Sequence, residues 1–112
     1  MISVEHADEA TFAAHVLERR GSLVLVYFFG PGCPNCERFA EALPALLAEL
    51  EREARSAMHL VKVDAYACPA LATRYAVFGI PAFFAFRDGK RLGRISEFRS
   101  AESWLAVIRG LL

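Results

Sequence analysis

Three cysteines are the residues of this chain best suited to chemistry, and two of them stand three positions apart in Gly30-Pro31-Gly32-Cys33-Pro34-Asn35-Cys36. Pro34 suits the first position of a helix, where no backbone N–H is needed. That places Cys33 near the N-cap, beside unpaired N–H groups and the positive end of the helix dipole. Such surroundings favour the thiolate, which is the nucleophilic form of cysteine. Cys36 lies one helical turn further in, close enough to form a disulfide with Cys33. Two chemistries use a Cys-x-x-Cys: thiol–disulfide exchange and zinc binding. Zinc wants four ligands, and the remaining donors are Cys68 and one of His6, His15 and His59. His59 opens a strand at the end away from the cysteines, so a Cys₃His site would need a rearranged fold. Disulfide exchange is therefore the first reading, and no metal is expected.

Cys68-Pro69 repeats the helix-opening logic of Cys33-Pro34. Cys68 reads either as a small packed residue or as an accessory thiol at a helix start, open to oxidation. The three histidines accompany no cysteine in sequence and read as surface or helix-packing residues.

The elements around the pair follow from periodicity. Val24-Leu25-Val26-Tyr27-Phe28-Phe29 is an apolar run suited to a strand covered on both faces, and Gly30-Pro31-Gly32 ends it. A helix opened by the cysteines runs to about Arg55, with Phe39, Leu43, Leu46, Leu47 and Leu50 inward and a bend expected at Pro44. Before it come a short strand over Ile2–Val4 and a helix from about Glu9 to Arg19, capped by Asp8, with Phe12, Val16 and Leu17 inward. After it, His59–Asp64 forms a strand parallel to the central one, since a helical crossover joins them. A short helix follows Pro69 to about Tyr75. Ala82–Phe86 and Arg91–Ser96 form a hairpin about Arg87-Asp88-Gly89-Lys90. Phe83, Phe84 and Phe86 read as core with one ring free to face a partner, and Arg87, Lys90, Arg91 and Arg94 keep the edge strand unpaired. Ser100 caps a last helix with Trp104, Leu105, Val107, Ile108 and Leu111 on its apolar side. This order describes one α/β domain over residues 1–112, a mixed sheet of about five strands with helices on both faces.

Composition narrows the function classes. Acidic and basic residues balance at 13 each, which leaves no electrostatic basis for binding nucleic acid or an anionic membrane. No apolar run approaches the ~20 residues of a membrane span. The N-terminal residues lack a basic-then-apolar signal, so a cytoplasmic location is expected. An odd cysteine count suits redox chemistry better than a disulfide framework. No G-x-G-x-x-G nucleotide fingerprint is present.

With these residues in order, the chain resembles the thioredoxin family over nearly its whole length. The resemblance rests on Cys33-Pro34-Asn35-Cys36 after an apolar strand, Val63-Asp64 ending the next, Gly79-Ile80-Pro81 before a third, and Phe86-Arg87-Asp88-Gly89-Lys90 at the hairpin. It implies a thioredoxin fold, a cis Ile80–Pro81 bond packed against the Cys33–Cys36 disulfide, Cys33 as exposed nucleophile and Cys36 as shielded resolving thiol. Pro34, Asn35, Tyr27, Ile80 and Pro81 then support the pair. The chain also departs from the family. Gly32 stands where a tryptophan is usual, Pro34-Asn35 where Gly-Pro is usual, Tyr27 where a buried aspartate is usual, and Glu37 follows the second cysteine in place of a cation. Leu60 is taken to replace a usual lysine, and Ser96-Glu97 a usual groove glycine. Tyr27 is a poor base at neutral pH but can donate a hydrogen bond to a nearby sulfur.

The expected function is protein-disulfide reduction by a monomer. Protein disulfides are the substrates, a separate reductase is the electron source, and no cofactor is needed beyond the redox-active disulfide. The alternative is a binding or assembly module whose cysteines are vestigial or dedicated to one partner.

Overall fold

A computed structural model describes all residues, 1–112. The central strand explains the rest. Leu23–Phe29 (β2) alternates Leu23, Leu25 and Tyr27 to one face with Val24, Val26 and Phe28 to the other, and six of its seven residues are buried. A strand apolar on both sides needs cover on both sides. Around it lie β1 (Ile2–His6), α1 (Pro34–Glu53), β3 (Met58–Asp64), α2 (Pro69–Arg74), β4 (Ala82–Arg87), β5 (Lys90–Ile95) and α3 (Ala101–Arg109). The sheet order is β1-β3-β2-β4-β5; β1, β3 and β2 run parallel, and β4 and β5 antiparallel to their neighbours. This is the five-stranded mixed sheet expected, with helical cover on both faces. None of its helices is long and apolar enough to cross a membrane.

On one face α1 and α3 pack over Leu25, Tyr27 and Phe83. Phe39 of α1 is the hub, with ring centroids 4.8 Å from Tyr27, 4.7 Å from Phe83, 5.2 Å from Phe98 and 5.3 Å from Trp104. Full burial of one such ring stabilises by about 1.5–3 kcal/mol. Helix α1 continues through Pro44 as one element. Pro44 and Ala40 are both exposed, so the carbonyl that Pro44 leaves without its N–H is on the solvent side. Ser100 caps α3 as read, its Oγ accepting from the Ser103 N–H at 3.1 Å. Trp104, Leu105 and Ile108 are buried, whereas Val107, expected on the apolar side, is half exposed.

The other face carries Val24, Val26, Phe28, Val61 and Val63 under α2 and the segment before β2. Here the structure corrects the helix expected over Glu9–Arg19. Asp8 does cap, accepting from the Ala10 and Thr11 N–H groups at 3.0 Å each. Beyond it only Ala13–Leu17 is helical, as one wide turn closed by Glu18 N–H to the Ala13 carbonyl. From this segment both His15 and Arg19 reach Glu5 of β1. The His15 Nδ1 lies 2.6 Å from Glu5 Oε1, and Arg19 Nη2 donates to both oxygens at 2.8 and 2.9 Å. His59 and Ser3 complete the cluster, 2.6 Å apart. These two histidines are thus half-buried partners of one carboxylate rather than surface residues. Burial pushes the Glu5 carboxyl up, but hydrogen bonds from Ser3, Arg19 and His15 outweigh it and hold it at about 2, against an ordinary 4.5.

A depressed carboxyl stabilises the fold fully above its unfolded value and progressively less as pH falls toward its folded one. Glu5→Gln is therefore expected to lose on the order of 1–2 kcal/mol at pH 7 and much less near pH 2. Urea unfolding at the two pH values checks this; an equal loss at both would assign the effect to packing.

The hairpin turn is as read, with Asp88 and Gly89 at φ of 52° and 77°. Phe83, Phe84 and Phe86 are all buried, so none of the three faces a partner. Arg94 and Arg87 do more than keep the edge polar. Arg94 donates to the Tyr75 and Ala76 carbonyls at 3.2 and 3.0 Å, and Arg87 to the Leu111 carbonyl at 2.8 Å.

Candidate active site

Because β2 and β3 run parallel while β4 runs back, the end of β2 meets the start of β4. Cys33–Cys36 and Ile80-Pro81 are brought together there. Gly30 leaves β2 against the Tyr66 ring: a Cβ would fall 2.5 Å from Tyr66 Cε2 and 2.9 Å from Ile80 Cδ1, so both side chains would have to shift to admit one. Gly32 then turns the chain at φ of 67°. Cys33 follows in extended conformation as the N-cap of α1, with Pro34 at the first helical position. The two cysteines form a disulfide, their Cα atoms 5.2 Å apart.

Cys33 Sγ accepts the Cys36 N–H at 3.1 Å, the donor that favours a thiolate at a helix start. The same sulfur lies 3.6 Å from the Ile80 carbonyl oxygen, and Ile80–Pro81 is cis, as the resemblance implies. Contrary to the expected exposed nucleophile, both cysteines are buried in the disulfide, Cys33 at 8% and Cys36 at 5% exposure.

Asn35 and Arg38 tie the pair to the segment before α3. Asn35 Nδ2 donates to the Phe98 carbonyl at 3.3 Å, and Arg38 donates to Asn35 Oδ1 at 2.6 Å and to the Arg99 carbonyl at 3.4 Å. Arg38 also lies over the Phe98 ring, 5.9 Å from its centroid. The cation missing directly after Cys36 is thus present one residue later. Phe98 and Arg38 escaped the sequence reading. Phe98 stands among polar residues, and nothing in the sequence announced that Arg38 would fold back across the turn.

Tyr27 lies below the pair, stacked on Phe83 at 5.2 Å. Burial pushes its phenol up to about 12. Its O–H donates to the Cys36 carbonyl at 3.4 Å, not to a sulfur as expected. Leu60 stands opposite Leu25, two residues below Tyr27, whereas the residue in register with Tyr27 is Lys62. Its Nζ is 5.3 Å from the Phe29 ring centroid. Leu60 and Lys62 share one face of β3. Glu37 is exposed.

Cys68 is buried at the start of α2, on the far face of the sheet from α1. Burial and the neighbouring Glu9 carboxylate push its thiol up, and Glu9 Oε2 takes the Ala70 N–H at 2.9 Å. The helix-start donor is therefore spent on a carboxylate, and the expected thiolate character and ready oxidation of Cys68 are not supported. No group of three or more His, Cys, Asp or Glu side chains is arranged to hold a metal ion.

The family model described as Thioredoxin matches residues 3–109. A thioredoxin of Chlamydia trachomatis serovar D is 34% identical over 86 residues, covering 77% of this chain and 79% of that one. Thioredoxin C-2 of Corynebacterium nephridii is 32% identical over 88 residues, covering 79% and 77%. Glutaredoxin 3 of Danio rerio is 30% identical over 81 residues, covering 72% of this chain but only 23% of its own length.

Proposed function

The chain belongs to the thioredoxin family and carries its thiol–disulfide oxidoreductase chemistry in Cys33 and Cys36, and from that premise we propose that it reduces protein disulfides. The single observation carrying this reading is the Cys33 sulfur placed between the Cys36 N–H and the Ile80 carbonyl. After reduction by a separate reductase, Cys33 attacks as the thiolate. A Cys33–substrate disulfide forms, the substrate disulfide breaks, and the departing substrate sulfur takes a proton. Cys36, having lost its own proton, attacks Cys33 Sγ. The Cys33–Cys36 bond forms and the second substrate thiol leaves. The dithiol is oxidised by two electrons and the substrate reduced by two. Asn35 and Arg38 hold the turn in place through both attacks, and Pro34 and Pro81 shape its two sides. A role as reductant fits the thiol-rich cytoplasm, and no cofactor is required beyond the redox disulfide itself.

Reduction of insulin by dithiothreitol, followed by precipitation of the freed B chain, tests the reading. Catalytic amounts of the protein should shorten the lag several-fold. An unchanged lag would favour a binding module whose disulfide serves one dedicated partner.

A further inference from the structure

Two aromatic side chains on the loops that reach Gly30 and Ile80 take no part in the core. Phe78, two residues before Ile80, is 93% exposed, and Tyr66 is 67% exposed. Tyr66 lies against Gly30, within the turn that leads to Cys33. Together with Ala65, Val77 and Ile80 they line a shallow depression of about 130 Å³ with no charged side chain in its wall. An exposed phenylalanine adds nothing to stability, because its burial energy is not collected in the free protein.

The loop that presents Phe78 is nonetheless held firmly. Ala76 adopts φ of 53°, a left-handed conformation unfavourable for alanine. Arg94 reaches across from β5 to the carbonyls of Tyr75 and Ala76, and the Val77 N–H bonds to the Ala72 carbonyl at 2.8 Å. The ring is thus offered to solvent on a fixed backbone. Preorganisation of this kind lowers the ordering cost of an encounter.

The position of this shelf decides its occupant. It is continuous with the reacting sulfur through Ile80, whose carbonyl lies 3.6 Å from Cys33 Sγ. A substrate cysteine bonded to Cys33 is therefore placed next to Ile80. An extended chain advances roughly 3.3 Å per residue, so a residue two positions from that cysteine lies about 7 Å along, on the scale of the depression that Ile80 and Phe78 both line. The uncharged wall favours an apolar side chain there.

We propose that Tyr66 and Phe78 form a docking shelf that selects disulfides whose cysteine carries an aromatic or large aliphatic residue within two or three positions. This rests on the proposed disulfide-reductase reading and adds the substrate class to it. Phe78 is a specificity residue here, since it touches the substrate's flank and not the reacting atoms.

The test uses two symmetric peptide disulfides, identical except for phenylalanine or serine two residues to either side of the cysteine. The readout is the ratio of their second-order rate constants with the reduced protein, so each variant is its own control. The wild type should prefer the phenylalanine peptide by about tenfold, the low end of what one apolar contact discriminates. Phe78→Ser should bring the ratio to within about twofold, and Phe78→Leu should restore most of it. Val107→Ser, which removes an exposed apolar residue on α3 away from the disulfide, should leave the ratio as in the wild type. A wild type indifferent to the flank, or a preference that survives Phe78→Ser, overturns the shelf while leaving disulfide reduction standing. A wild type that reduces neither peptide nor hydroxyethyl disulfide overturns both readings. If instead the protein forms a dimer that Phe78→Ser dissolves, with no flank preference, the shelf belongs to a second copy of the chain and the proposal fails.

Discussion

Cys33→Ser is expected to abolish disulfide reduction, and Cys36→Ser to stop it halfway. A serine hydroxyl is not ionised at neutral pH and forms no mixed disulfide, so the first loss should exceed about a thousand-fold. In Cys36→Ser the first attack remains possible, because the backbone N–H that faces Cys33 Sγ belongs to residue 36 whatever its side chain. The covalent intermediate then has no internal thiol to resolve it. Incubated with a peptide disulfide, this variant should accumulate a one-to-one adduct by mass, whereas Cys33→Ser should accumulate none. The two cysteines differ by only a few per cent in exposure, so the order of attack rests on the helix-start donor and on the Ile80 side of the site being where a substrate can lie. Adduct formation on Cys33→Ser alone would reverse the assignment.

Tyr27→Asp is expected to change two properties in opposite directions. With its phenol pushed up to about 12, Tyr27 is almost entirely protonated at pH 7 and cannot take the Cys36 proton. Its hydroxyl is turned to the Cys36 backbone carbonyl in any case. A carboxylate at this position, beneath Cys36, should speed resolution of a preformed mixed disulfide about tenfold or more near neutral pH. The cost is structural. The ring stacks on Phe83 and meets Phe39 edge-on at 4.8 Å, and its loss should destabilise by about 3–5 kcal/mol. A buried carboxyl titrates above its unfolded value, so the native state keeps a proton that the unfolded state releases. The destabilisation therefore grows as pH rises beyond about 4, and the variant should be more stable at pH 5 than at pH 8. Lys62, in register with residue 27, should limit that penalty. Stopped-flow resolution rates and denaturant melts at the two pH values check both halves. A folded variant with unchanged resolution would mean that water already accepts the proton.

Much of this arrangement was legible in the chain because it rests on local rules. Six apolar residues followed by Gly-Pro-Gly can only be a buried strand and its turn, and β2 spans Leu23–Phe29 as those residues suggest. Pro34 and Ser100 start their helices where capping chemistry puts them. The hairpin about Asp88-Gly89 follows from a turn that needs two residues at positive φ. These signals act within a few residues, where sequence distance and spatial distance agree.

Only tertiary structure decided how the site is furnished. The first helix is one wide turn, and His15 within it and Arg19 beyond it both bond to Glu5 of β1. Cys68 lost its helix-start advantage to Glu9, 59 positions earlier, by a contact that no local rule contains. Which residue of β3 stands beside Tyr27 is set by the register of the whole sheet: it is Lys62, while Leu60 stands opposite Leu25. Phe78 and Phe83 are the same residue type five positions apart, yet one lies in solvent on the loop before Ile80 and the other in the core. Composition and spacing identify a phenylalanine as apolar; whether that surface is covered depends on which distant elements pack over it, and that is a property of the assembled fold.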